Sequence, residues 1–116
     1  MGRFLMRLKG REGVYILEWS TIVDAPVTFG MPLAEFEAYY KEQYGANGLR
    51  ELPERLARLE KYGTSLVDGR TPQDAISGNR AGPNEKRLTL REIYKAYCLQ
   101  QPIRDGWTVP TVEVPE

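Results

Sequence analysis

Residues 3–9, RFLMRLK, alternate. Phe4, Met6 and Leu8 fall on one side and Arg3, Leu5, Arg7 and Lys9 on the other, the period-two signature of a strand. Gly10-Arg11-Glu12-Gly13 reads as a four-residue loop and VYILEWSTIV (14–23) as a second, longer strand, so the N-terminus predicts an antiparallel hairpin. On that second strand Tyr15, Leu17, Trp19, Thr21 and Val23 share one face, and Val14, Ile16, Glu18, Ser20 and Ile22 share the other. Both faces are largely apolar, which predicts a central strand covered on both sides. Proline cannot donate to a ladder, so the pairing is expected to break at Asp24-Ala25-Pro26, with Val27-Thr28-Phe29 extended beyond it.

The period then changes to that of helices. In PLAEFEAYYKEQY (32–44) Leu33, Phe36, Tyr40 and Tyr44 form one stripe, with Gly45 as the expected C-terminal cap and Asn47-Gly48 in a turn. A second helix is expected from Pro53 to Gly63, its buried stripe supplied by Leu49, Leu52, Leu56 and Leu59. Thr71-Pro72 opens a small third helix. NRAGPNEKR (79–87) is the plainest loop, and Thr89-Leu90-Arg91-Glu92 is a capping box that starts TLREIYKAYC. After Pro102 the chain becomes polar and proline-punctuated. The expected architecture is α+β: an N-terminal β-hairpin in a small antiparallel sheet, packed with three to four short helices. Residues 1–102 form one globular domain and 103–116 an extended C-terminal arm.

Composition narrows the chemistry. The chain of 116 residues has no histidine, which removes the usual general base, the triad base and the commonest transition-metal ligand together. A single cysteine, Cys98, leaves no internal disulfide and no zinc site of ordinary type. No metal and no cofactor is therefore expected, and an enzyme would have to work with carboxylates, Lys, Tyr or a carboxylate-bound hard metal. Sixteen basic and sixteen acidic residues cancel, which argues against non-specific nucleic-acid binding. No apolar run is long enough for a signal peptide or a membrane helix, so a soluble protein of the cytoplasm, without membrane contact, is the expectation.

Glu18 and Asp24 invite a reading as paired carboxylates for Mg2+ or acid–base work. Six residues of strand, at about 3.3 Å each, would hold them roughly 20 Å apart. Glu18 is instead expected to pair with Arg3 or Arg7, and Asp24 to organise the turn before Pro26. The preferred binding candidate is the loop from Asn79 to Arg87 and the helix after it. Arg80, Lys86, Arg87 and Arg91 gather charge, Gly82 leaves room for close approach, and the helix N-terminus offers amides to an anion. No GxxxxGK[ST] or GxGxxG motif accompanies them. As contact surfaces the sequence offers Tyr39, adjacent to the inward Tyr40, and the arm with Trp107, Val109 and Val112. That arm is expected to dock on its own domain or add to a neighbouring copy as an edge strand.

The string EWSTIVDAPVT (18–28), continuing into a Gly-Met turn and an acidic helix, resembles a stretch of small uncharacterised proteins of tailed bacteriophages. The NRAG segment and its capped helix fit the same resemblance, which spans about residues 14 to 98. It implies a viral setting, in the host cytoplasm or the virion, and assigns no catalytic residue. Two readings follow. One is a non-enzymatic accessory protein that binds a host or phage protein, or a small anionic, nucleotide-like ligand. The other is an assembly component forming a homo-oligomer through its arm.

Overall fold

The computed structural model describes residues 2–103 together with 106, 107 and 109. A three-stranded antiparallel sheet in the order β1 (Arg3–Gly10), β2 (Gly13–Ser20), β3 (Ala25–Pro26) carries the fold. The helices are α1 (Leu33–Tyr62), α2 (Pro72–Ala75) and α3 (Leu90–Ile93), and α3 runs directly into a π-turn over Tyr94–Cys98. The α+β class expected from the pattern is therefore observed; among the described residues there are three α-helices, where three to four short ones were expected, and α1 is long with a kink at Gly45.

Strands β1 and β2 pair from Arg3↔Ser20 through to Gly10↔Gly13. The glycines thus belong to the ladder, and the connection is the two residues Arg11 and Glu12 rather than the expected four. Two-residue connections match the natural twist of a hairpin best. The far end of β2 also differs. The ladder stops at Ser20, residues 21–24 turn with Asp24 at φ 53, and Ala25-Pro26 resumes pairing as β3, opposite Ser20 and Trp19. Pro26 is tolerated because β3 is an edge, where no strand awaits its missing N–H.

The expected central placement of the second strand is borne out: β2 lies between β1 and β3. Phe4, Met6, Leu8, Leu17 and Trp19 project into one core with Ile76, Leu88, Ile93, Tyr97 and Cys98. Leu5 and Ile16 project the other way, onto Phe36, Tyr40, Leu52 and Leu59 of α1. The outer edge of β1 is closed by the chain leaving α1: Arg7 N–H donates to Gly63 O (2.8 Å) and Ser65 N–H to Leu5 O (3.0 Å). An uncovered edge would invite pairing with another chain.

Helix α1 is two helical segments joined across a kink at Gly45, the residue expected to end the first helix. Gly45 does interrupt it, at φ 63 and ψ −154, but the chain re-enters the helix at once and carries Asn47, Gly48 and Pro53 within it. Packing overrides these local breakers. Gly48 is buried, and a Cβ there would lie 2.3 Å from Tyr44 Cβ and 3.2 Å from the Tyr40 ring, so only glycine lets the second half of the helix close on the first. Leu33, Tyr44 and Leu49, expected in the buried stripe, are 49%, 36% and 37% exposed. Gly63 caps the helix in the left-handed conformation, its N–H on Leu59 O at 2.8 Å, as its position suggests. The cap read from sequence at Thr71 and the capping box at Thr89 form: Thr71 accepts from Asp74 N–H, and Thr89 and Glu92 bond reciprocally.

Candidate functional site

The residues proposed from sequence for one binding site lie in three places. Arg80 turns toward the β2–β3 turn, where its backbone N–H donates to Asp24 O (2.8 Å) and its guanidinium lies 3.6 Å from the Asp24 carboxylate. A second contact at 3.9 Å joins it to Glu85. Gly82 makes room for the protein itself: its added Cβ would meet Leu88 Cδ2 at 2.7 Å and Lys86 O at 2.8 Å. Lys86 and Arg87 border a shallow hollow beside Gln73 and Ser77, with Arg87 donating to Ser77 O at 3.2 Å. Only Arg91 lies elsewhere, in a groove of its own.

What organises the loop is a residue the sequence reading passed over. Asn79 is buried, and its amide group donates to Ile76 O and Leu88 O, both at 2.8 Å. Its Oδ1 accepts from Ala81 N–H (3.2 Å) and Leu88 N–H (2.9 Å). The side chain thus closes residues 79–88 on themselves. Asparagine at the head of a long Gly/Pro loop was the available signal. The helix start is also largely self-satisfied, since Thr89 Oγ1 takes the Glu92 amide.

The groove that holds Arg91 runs between the hairpin connection and the C-terminal helix, with a volume of about 800 Å3. Arg91 and Lys95 stand one turn apart on the helix side, where i and i+4 are neighbours. Arg11 faces them from the hairpin, and Arg7 and Lys9 border the groove from β1. The Arg7 side chain reaches toward the α1 layer and donates to Glu60 O at 3.2 Å. Glu12 is the single acid of the groove wall, and it is already engaged by the Tyr94 hydroxyl at 3.2 Å. The Tyr94 ring lies directly over Gly10, where a Cβ would come within 2.4 Å of it, and meets Tyr15 edge-on at 5.9 Å. The π-turn beginning at Tyr94 sets the aim of Tyr94 and Lys95; such insertions recur where a helix must re-aim side chains at a site. Leu8, Leu90, Leu99 and Pro72 add apolar surface, and Gln101 a neutral polar end. The arrangement provides cationic and apolar contacts, with no nucleophile paired to a base.

Tyr39, offered as a contact surface, points its hydroxyl inward to Glu18 Oε1 (2.7 Å), while Tyr44 donates to Oε2 (2.6 Å) and Arg3 stands 3.5 Å from Oε1. Burial, followed by the Glu18 hydrogen bond, pushes the Tyr39 pKa up. Arg3 is one of the two partners the strand register suggested for Glu18. Trp107 and Val109 pack, half buried, against the core on the Trp19 face of the sheet; Val112 lies outside the described residues. Among the described residues no three His, Cys, Asp or Glu side chains gather as metal ligands, and no helix is long and apolar enough to cross a membrane.

No protein-family model, curated protein or solved structure matches this chain. The site's chemistry has to speak for itself.

Proposed function

We propose that this chain is a non-enzymatic binding domain that takes a small anionic ligand in the groove between the hairpin connection and the C-terminal helix. The observation that carries the reading is the gathering of Arg11, Arg91 and Lys95, with Arg7 and Lys9, around one groove whose lining holds a single carboxylate, Glu12. Five basic side chains against one carboxylate leave the groove with an excess of positive charge, which favours an anion. The apolar wall supports a ligand with an organic body, of which a nucleotide is the fitting class. In the phage setting that the resemblance implies, the domain would act as an accessory factor taking up an anionic ligand of the host cytoplasm.

Calorimetric titration with AMP, ATP and inorganic pyrophosphate tests this. Binding of at least one, weakening as salt rises, is expected. The double variant Arg91→Ala/Lys95→Ala should weaken it at least tenfold while leaving the circular dichroism spectrum unchanged. Equal affinity in the double variant, or no binding of any of the three at millimolar concentration, refutes the proposal.

A further inference from the structure

A second cavity, of about 590 Å3, lies at the opposite end of the hairpin, between the β2–β3 turn and α1. Its floor is polar and buried: Glu18 is 1% exposed, Ser20 6% and Tyr40 2%. Its sides are apolar, with Ile22, Val23 and Val27 from the turn and Tyr44 and Gly48 from the helix. Concave sites of this size, mostly apolar with a few convergent polar groups, are the usual shape of small-molecule sites.

The Tyr40 hydroxyl borders this cavity and has no hydrogen-bond partner among the described residues, although the side chain is otherwise enclosed. That oxygen is not among the enclosed unpaired atoms, so its O–H opens onto the cavity and is free to donate to an occupant. Glu18 accepts one tyrosine hydroxyl on each oxygen, and a carboxylate has about four acceptor positions, so acceptor capacity remains. Ser20 Oγ takes the Ile22 amide at 3.2 Å and keeps its own O–H to donate. Unused donors and an unused acceptor therefore face one space.

Charge selects the occupant. Arg3 and Arg55 balance Glu18 and Glu51 around the opening. An added cation would have to displace Arg3, already 3.5 Å from the carboxylate, and an added anion would meet Glu18 itself. Tyr40 and Tyr44, packed on each other with centroids 4.6 Å apart, line the cavity together with the branched side chains of Ile22, Val23 and Val27, an aromatic and aliphatic wall that suits a ring. We propose that this cavity is a second binding site, for a small uncharged ring-bearing molecule that donates a hydrogen bond to Glu18 and accepts one from Tyr40. It is independent of the basic groove.

The test uses three probes of one size and different charge: benzyl alcohol, benzylamine and benzoate, titrated into the full 15N-labelled chain. Benzyl alcohol should shift the amides of Ser20, Val27 and Gly48 saturably, and the two charged probes should bind about tenfold more weakly. Tyr40→Phe keeps the ring and should weaken benzyl alcohol about fivefold, the worth of one neutral hydrogen bond. Val23→Trp, at a half-exposed wall position, should abolish binding by filling the slot, and it decides the matter if Tyr40→Phe does not fold. The proposal is overturned if no saturable shift occurs at those amides or if a charged probe binds as tightly as the alcohol. Unchanged binding in folded Tyr40→Phe, or binding retained in Val23→Trp, overturns it as well.

Discussion

Replacing Asn79 with alanine tests how the long loop is held. The side chain makes four hydrogen bonds, and three backbone groups depend on it alone: Ala81 N–H, Leu88 N–H and Leu88 C=O. The fourth, Ile76 O, keeps the Asn79 backbone N–H at 2.9 Å. Ala81 and Leu88 are 5% and 3% exposed, so water cannot replace the lost partners without the loop opening. Stranding a buried polar group costs about 1–3 kcal/mol; counting three at the lower figure gives about 3 kcal/mol for Asn79→Ala. In a domain of this size that is a fall of roughly 12 °C in the melting temperature. Urea denaturation followed by tryptophan fluorescence measures it directly, with an unchanged m-value if the unfolded state is unaffected. A loss under 0.5 kcal/mol would mean that the backbone of 79–88 holds its shape without the clasp, and the reasoning would fail. Asn79→Asp separates donor from acceptor. It keeps the two bonds accepted from N–H groups but sets a carboxylate against Leu88 O and Ile76 O, which raises its folded pKa. Its stability should therefore be highest at low pH and fall as pH rises through that pKa.

Two other perturbations follow from single features. Gly45→Ala meets no atom within 4 Å but places a side chain at φ 63, ψ −154, so the loss should be purely conformational, about 1–3 kcal/mol by calorimetry; an unchanged melting temperature would show the break can relax into regular helix. Burial pushes both the Cys98 thiol and the Tyr97 hydroxyl up to about 12, above their unfolded values. Their contribution is therefore complete below about pH 9 and lost progressively toward pH 12, where unfolding should be measurable by circular dichroism; a flat stability profile across that range would contradict the burial argument.

The parts legible in sequence are those fixed by neighbours in the chain. Alternation in RFLMRLK and VYILEWS marks the hairpin, two apolar faces on β2 mark its central position, and Thr89 with Glu92 marks a helix start. The misreadings centre on chain breakers. Pro53, Asn47-Gly48 and Pro26 are local breakers that lie within elements; packing accounts for two of them, Tyr40 and Tyr44 against Gly48 and β2 beside Pro26. For the groove, counting cations along residues 80–95 finds charge but not direction. Arg80 is spent on Asp24, while Arg91 and Lys95 acquire Arg11, eighty positions earlier in the chain, as a companion. Glu18 likewise finds its tyrosines 21 and 26 residues away. Pairings of that span leave no periodic trace.

The hairpin's two-sided burial also has a temporal consequence. Residues 3–20 are synthesised before the partners they pack on, and Met6, Leu17 and Trp19 await contacts that extend to Tyr97 and Cys98. At roughly 5–20 residues per second a ribosome needs on the order of 4–16 s to complete that stretch. For this interval the nascent chain carries an apolar ribbon with neither face covered, and α1 can shield only one of them. Mature structure must therefore arrive late and nearly at once, when the last core helix leaves the exit tunnel. Early truncation or a stalled ribosome would release a species prone to aggregation rather than a smaller working domain.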